Sequence, residues 1–183
     1  MPEMKRKPKR TFSWMNPKLE ARTALKYGKD EKGVFAKEDI KKGEMLAIFG
    51  GYIMTLDKEN KSPKKYRDTG VQIAKNFVIS SKNKKEDTDC FNHSCNPNAG
   101  FNGQIFLVAI ENINKNEEVV FDYAMVLFGN NPKESYTIKC ICSSNRCRRI
   151  ITEKDWKIPE LQKKYDGYFQ YFLQEKINKL KEK

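Results

Sequence analysis

Cys140, Cys142 and Cys147 stand as C-x-C-x4-C, three soft ligands close enough in sequence to share one tetrahedral zinc. A closed structural site takes four, so one ligand must come from elsewhere. The octapeptide FNHSCNPN, Phe91 to Asn98, is the expected source. It carries Cys95 and the single histidine of the chain, His93, with Cys90 directly before it. Cys95 is preferred, because the residues around His93 give that side chain another role. Such a site clamps the end of the chain onto its centre. Scattered thiols are the simpler alternative, and the tight spacing argues against them.

Two other chemistries of the loop carry less weight. Asn92-His93-Ser94 is formally a glycosylation sequon, but the first ten residues, MPEMKRKPKR, lack the apolar core of a secretion signal. Cys95 and His93 suggest a thiol nucleophile and its base. Two positions apart their side chains tend to diverge, and no oxyanion-hole glycine pattern accompanies them.

The elements that position these residues are mostly strands. LEARTALKYG, KGVFAKEDI and GEMLAIFGGYIM are short apolar runs punctuated by glycine, and Lys41-Lys42-Gly43-Glu44 reads as one of the turns. VQIAKNFVIS fits a hairpin turning near Lys75-Asn76. QIFLVAIENI and EEVVFDYAM complete the body, with Asn114-Lys115-Asn116 supplying a left-handed turn between them. LDKENKSPKKYRD shows no apolar period and reads as a charged surface insertion, with a possible partner contact. Beyond Cys147 the period becomes helical. Pro159 suits a first turn, and Leu161, Tyr165, Tyr168 and Phe172 give one docking face. Trp156 reads as a core anchor for that helix.

At 183 residues the chain fits one medium domain. With 38% hydrophobic residues it can bury a core without disulfides. No apolar stretch reaches bilayer length, so no membrane partner is expected, and the compartment is intracellular. There an odd count of five cysteines favours thiols or metal ligands. Lysine and arginine outnumber acids 36 to 24, and a net charge of +12 favours nucleoprotein or nucleic acid as neighbours. Dispersed lysines serve solubility equally well.

FNHSCNPN, followed by EEVVFDY and C-x-C-x4-C, resembles the SET-domain protein-lysine N-methyltransferases that carry a post-SET zinc-binding cysteine cluster. KGVFAKEDIKKGE resembles the opening of that domain, so the likeness covers roughly Leu19 to Arg149. It implies a mainly β fold of small curved sheets around a pseudoknot, with a C-terminal helix and a post-SET zinc clamp. The expected organisation is a basic, disordered arm over 1–16 and a SET domain over 17–136 with the insertion at about 56–70. The post-SET cluster spans 137–150 and a helical extension 151–183.

By the same resemblance S-adenosylmethionine is the methyl donor, contacted by Asn92, His93 and Tyr123 and by backbone around Lys32, Gly33, Val34 and Phe35. Tyr123 is the active-site tyrosine, and Phe121 sets how many methyls fit, favouring di- or trimethylation. Cys95, Cys140, Cys142 and Cys147 hold the structural zinc. The substrate is a lysine of a histone, a ribosomal protein or another basic protein. The location is nuclear or chromatin-associated for a eukaryotic source or one acting on a host, and cytoplasmic otherwise.

The chain departs from the family in places. Ile48-Phe49-Gly50-Gly51 stands where relatives have E-Y-x-G, which removes a second tyrosine hydroxyl; Tyr52 is its one nearby substitute. Asp89-Cys90 replaces an arginine and a phenylalanine. Arg149 replaces a glycine after the last cysteine and its arginine. The missing tyrosine supports the rival reading, an inactive SET-like module that binds basic tails or nucleic acid. Nucleic-acid binding through the basic arm is a third reading, marked by steep salt dependence.

Overall fold

Short apolar runs, several of them closed by a glycine or asparagine turn, make strands of two to five residues, so the core is shared among several small curved sheets. The computed structural model describes residues 11–63, 66, 69–81, 84–129 and 137–182. The expected basic arm lies for its first ten residues outside this range.

The strands Trp14–Met15 (β1), Leu19–Thr23 (β2), Lys32–Ala36 (β3), Met45–Ile48 (β4) and Tyr52–Thr55 (β5) come first. A helix, Leu56–Asn60 (α1), precedes the hairpin Val71–Ala74 (β6) and Phe77–Ser80 (β7). Then follow Asn92–His93 (β8), Ala99–Asn102 (β9), Phe106–Ala109 (β10) and Glu118–Phe121 (β11). Thr137–Lys139 (β12) and Ile150–Thr152 (β13) bracket the three late cysteines, and Pro159–Lys164 (α2) and Tyr171–Lys181 (α3) end the chain. The main sheet runs β1-β4-β10-β9-β11-β3-β2, with β8 joined to β11; β5-β7-β6 and β12-β13 form two further sheets. Val34, Leu46, Phe101, Leu107 and Val119 are fully buried between them.

β11 is the element around which the site is built. It is antiparallel to β3 at Glu118 and Val119, then leaves it and pairs in parallel with β8, Val120 opposite Asn92 and Phe121 opposite His93. Phe121 also pairs in parallel with Ala99 of β9. Ser94 N donates to Phe121 O on one edge and Asn98 N to Val120 O on the other. Since alternate carbonyls of a strand point to opposite edges, residues 94–98 arch over the end of β11. This threading is the pseudoknot expected of the fold. The Asn98 side chain closes it, accepting from Val120 N at 2.9 Å and donating to Glu118 O at 2.8 Å.

Turn chemistry follows the residues: Gly43 has φ 89° and Asn116 φ 68°. Three segments differ from the sequence reading. Trp14–Met15, expected within the disordered arm, is β1 and pairs with β4. The charged insertion opens as α1, capped by Thr55, whose hydroxyl accepts from Lys58 N at 3.3 Å. Leu56, Glu59 and Lys61 face a cavity rather than a bare surface. The C-terminal helix is two helices, because the chain turns through Gly167 at φ 79°. The segment between them adds main-chain bonds to the core: Phe101 N donates to Tyr168 O at 3.0 Å and Gln170 N to Met125 O at 3.1 Å. Leu161, Tyr165, Tyr168 and Phe172 all pack on the core as their spacing predicts, and buried Trp156 stands 5.6 Å from Phe128.

Candidate active site and cysteine cluster

Where β11 ends, Asp122 caps a 3-10 turn, Tyr123–Met125, by accepting from Ala124 N at 3.0 Å. That turn aims the Tyr123 ring between His93 and Phe121, with ring centroids 5.1 and 5.2 Å away. The Tyr123 hydroxyl donates to Phe91 O at 3.4 Å. Phe121 and Tyr123 line a cavity of about 570 Å³ with Phe49 and Phe91. Phe49 is 6.0 Å from Phe91 and stacks on Phe101 at 5.6 Å, so the position without a tyrosine hydroxyl is an apolar wall. Tyr52 does not line this cavity; it is 44% exposed and packs on Phe12. Gln72 holds the far wall, accepting from Phe128 N at 2.9 Å.

His93 is tied at both ring nitrogens. Its Nδ1 accepts from Tyr123 N at 3.1 Å and its Nε2 lies 3.3 Å from Cys95 Sγ, so the two side chains converge where their spacing predicts divergence. The Nδ1 contact places the proton on Nε2, facing sulfur. Burial lowers the imidazole pKa to about 4, against the opposing pull of Asp122. His93 is thus the strut between the tyrosine turn and the cysteines.

Asn92 faces β3. Because β11 pairs only with Val34 and Phe35, the β11-side edge of Lys32 and Gly33 is left to side chains. Asn92 Nδ2 donates to Lys32 O at 2.9 Å and to Glu118 Oε1 at 3.1 Å. A Cβ on Gly33 would meet Glu118 Oε1 at 2.5 Å, so the glycine is needed for packing within the protein. Val34 is fully buried, and Arg22 lies over the Phe35 ring at 4.2 Å. Tyr27 and Lys26 both reach Glu118.

The four expected sulfurs meet. Those of Cys95, Cys140, Cys142 and Cys147 lie within 4.8 Å of one another, and Cys95 and Cys140 are 3.8 Å apart. A tetrahedral ion with bonds of about 2.3 Å separates its sulfurs by about 3.8 Å, so this donor set fits zinc. Cys90 is not in the cluster. Burial pushes the Cys95 thiol up to about 11, while the Arg148 N–H, 3.3 Å from its sulfur, acts the other way.

The sequence reading missed the group that locks this arrangement. Arg148 donates to both oxygens of fully buried Asp122, at 2.6 and 2.7 Å, and through Nε to Asp155 at 2.9 Å. Tyr165, also fully buried, donates to Asp122 at 3.2 Å. Asp122 lay in plain view inside F-D-Y, an acid in an otherwise apolar strand end, which is the signal for a buried paired charge.

A model of the SET domain family matches residues 31–124, about half of the chain. The chain belongs to the SET-domain family. Among relatives of this SET domain, the variant-silencing SET domain-containing protein of Plasmodium falciparum is 30% identical over 144 residues, 67% of this chain and 5% of that protein. The human histone-lysine N-methyltransferase SETD1B is 30% identical over 132 residues, 65% of this chain and 6% of its own. The chain therefore spans only a small fraction of these relatives. Among solved structures, KRYPTONITE in complex with mCHG DNA and SAH shares the SET fold, with a TM-score of 0.55 at 22% identity over 72% of this chain and 28% of that one. Among the described residues no helix is long and apolar enough to cross a membrane.

Proposed function

We propose that this SET domain is an S-adenosylmethionine-dependent protein-lysine N-methyltransferase acting on a histone or another basic protein. The observation that carries this reading is the parallel pairing of Asn92–His93 with Val120–Phe121, next to Phe121 and Tyr123 lining one aromatic cavity. In its support, relatives from several organisms are named histone-lysine methyltransferases. A net charge of +12 suits chromatin surroundings.

When bound, S-adenosylmethionine supplies an electrophilic methyl group open to direct displacement by a neutral amine. The Lys32 and Gly33 carbonyls, the Asn92 side-chain oxygen and the Glu118 carboxylate would offer the oxygen acceptors that its ammonium group needs. Val34 and Phe35 continue that strand, and His93 fixes the loop.

The protein's task is to position the two reactants and exclude water. Phe49, Phe91 and Phe121 give the cavity apolar surface, against which a substrate lysine loses hydration and its ammonium pKa is pulled down, while the acids of the same lining pull it the other way. The Tyr123 hydroxyl orients the resulting amine. Phe121 brings no hydroxyl to hold a water, leaving room for a methylated amine to turn, so di- or trimethylation is the expected product. Cys95, Cys140, Cys142 and Cys147 hold a structural zinc that fastens the C-terminal wall to the loop. Transfer of label from S-adenosylmethionine to a protein lysine, lost in Tyr123→Phe, tests this reading.

A further inference from the structure

The cavity beside Tyr123 carries a charge opposite to that of the protein. Among the described residues its lining holds Asp57, Glu59, Asp89 and Glu153 against Lys61 alone, in a chain of net charge +12. Two of these acids have structural duties. Glu59 Oε1 accepts from Gly70 N at 3.0 Å, and Asp89 Oδ2 accepts from Glu86 N at 2.8 Å in the cap of its own turn.

Glu153 differs. Its residue is 6% exposed, and its Oε2 is fully buried with no hydrogen-bond partner among the described residues. Burying such an oxygen unpaired is costly, and its residue lines the cavity, so a donor that reaches it from there would be favoured. The chain makes room for it: a Cβ on Gly129 would sit 2.0 Å from Glu153 Cγ, so only glycine lets this stem enter the wall. Thr88 Oγ1, on the same lining, is a second buried oxygen without a partner among the described residues.

We propose that Glu153 is a specificity-determining residue that selects substrates with an arginine close to the target lysine. The inference rests on the methyltransferase reading, since the occupant of the cavity is then a peptide whose lysine reaches Tyr123. A guanidinium fits better than a second ammonium. It is planar, pairs with a carboxylate through two N–H groups, and tolerates partial burial against aromatic surface such as that of Phe128. Its remaining donors suit a hydroxyl such as that of Thr88.

The test uses the full zinc-loaded chain and short peptides with one lysine, in which arginine, citrulline or alanine is placed at each neighbouring position in turn. Binding in the presence of S-adenosylhomocysteine is measured beside turnover. At one position arginine should improve affinity over citrulline on the order of tenfold to a hundredfold, the range for a hydrogen-bonded charge. Glu153→Gln should erase that preference, seen in KM more than in kcat. Equal binding of arginine and citrulline peptides at every position overturns the proposal, as does a preference that survives in a folded Glu153→Gln. Should that variant not fold, the arginine and citrulline comparison on the unaltered protein decides alone. Arginine-selective binding without methylation supports the recognition and contradicts the activity; methylation without selectivity does the reverse.

Discussion

Asp122 and Arg148 form a two-pronged ion pair, with both carboxylate oxygens engaged at 2.6 and 2.7 Å, between the residue before the candidate catalytic tyrosine and the residue after the last cysteine. The same carboxylate caps the Tyr123 turn and accepts from Tyr165, so one buried charge ties together β11, the cysteine loop and the C-terminal helices. Removing one partner strands the other without water. Asp122→Asn and Arg148→Met should each lower unfolding free energy by about 3–5 kcal/mol. In denaturant titrations the double variant should lose clearly less than the sum.

Zinc removal should act at the same seam. Chelation should release one zinc per chain, lower the melting temperature and expose the segment from β12 to α3 to protease before the SET body. Cys95→Ser should do so more gently than loss of all four ligands. Because thiols must lose protons to bind metal, zinc retention should weaken as pH falls. Metal analysis across a pH series measures this.

Arg149 is exposed and sits at φ 67°, a left-handed conformation that costs an ordinary residue about 1–2 kcal/mol. Arg149→Gly should therefore be neutral or stabilising by up to about 1 kcal/mol, the added freedom of the unfolded chain taking back part of the gain. Equilibrium unfolding of the variant checks this directly.

Phe121 touches Phe101 edge-on at 5.4 Å and lines the cavity, so it has a core role and a candidate role in product choice. Phe121→Tyr should shift products toward monomethyllysine, with little loss of the first transfer. Mass spectrometry of the product lysine reads the outcome.

Much of this site is legible without coordinates because its residues come in short ordered motifs. Cys95 was separable from Cys90, and the geometry brings it, with Cys140, Cys142 and Cys147, into one cluster. The apolar runs QIFLVAIENI and EEVVFDYAM placed β10 and β11, and asparagine at Asn116 marked the turn between them. What escaped depended on distance in sequence. Nothing local distinguishes Arg148 as the partner of Asp122, 26 residues earlier. Nor does anything local show that the space beside Gly33 is taken up by Asn92 and Glu118. The insertion read as solvated because Glu59 is charged, yet Glu59 is buried with Gly70 N as its partner. The helical period ran unbroken through Gly167 because the residues after the turn return to the same core.

The most direct test of the central claim incubates purified, zinc-loaded protein with labelled S-adenosylmethionine and separate panels of core histones and ribosomal proteins, beside Tyr123→Phe. Label should appear on lysine of a basic protein and fall on the order of 100-fold in Tyr123→Phe, the range for a positioned catalytic group, with S-adenosylhomocysteine binding retained. No lysine labelling in either panel, by a folded protein that binds S-adenosylhomocysteine, would contradict the account, as would labelling equal in the variant.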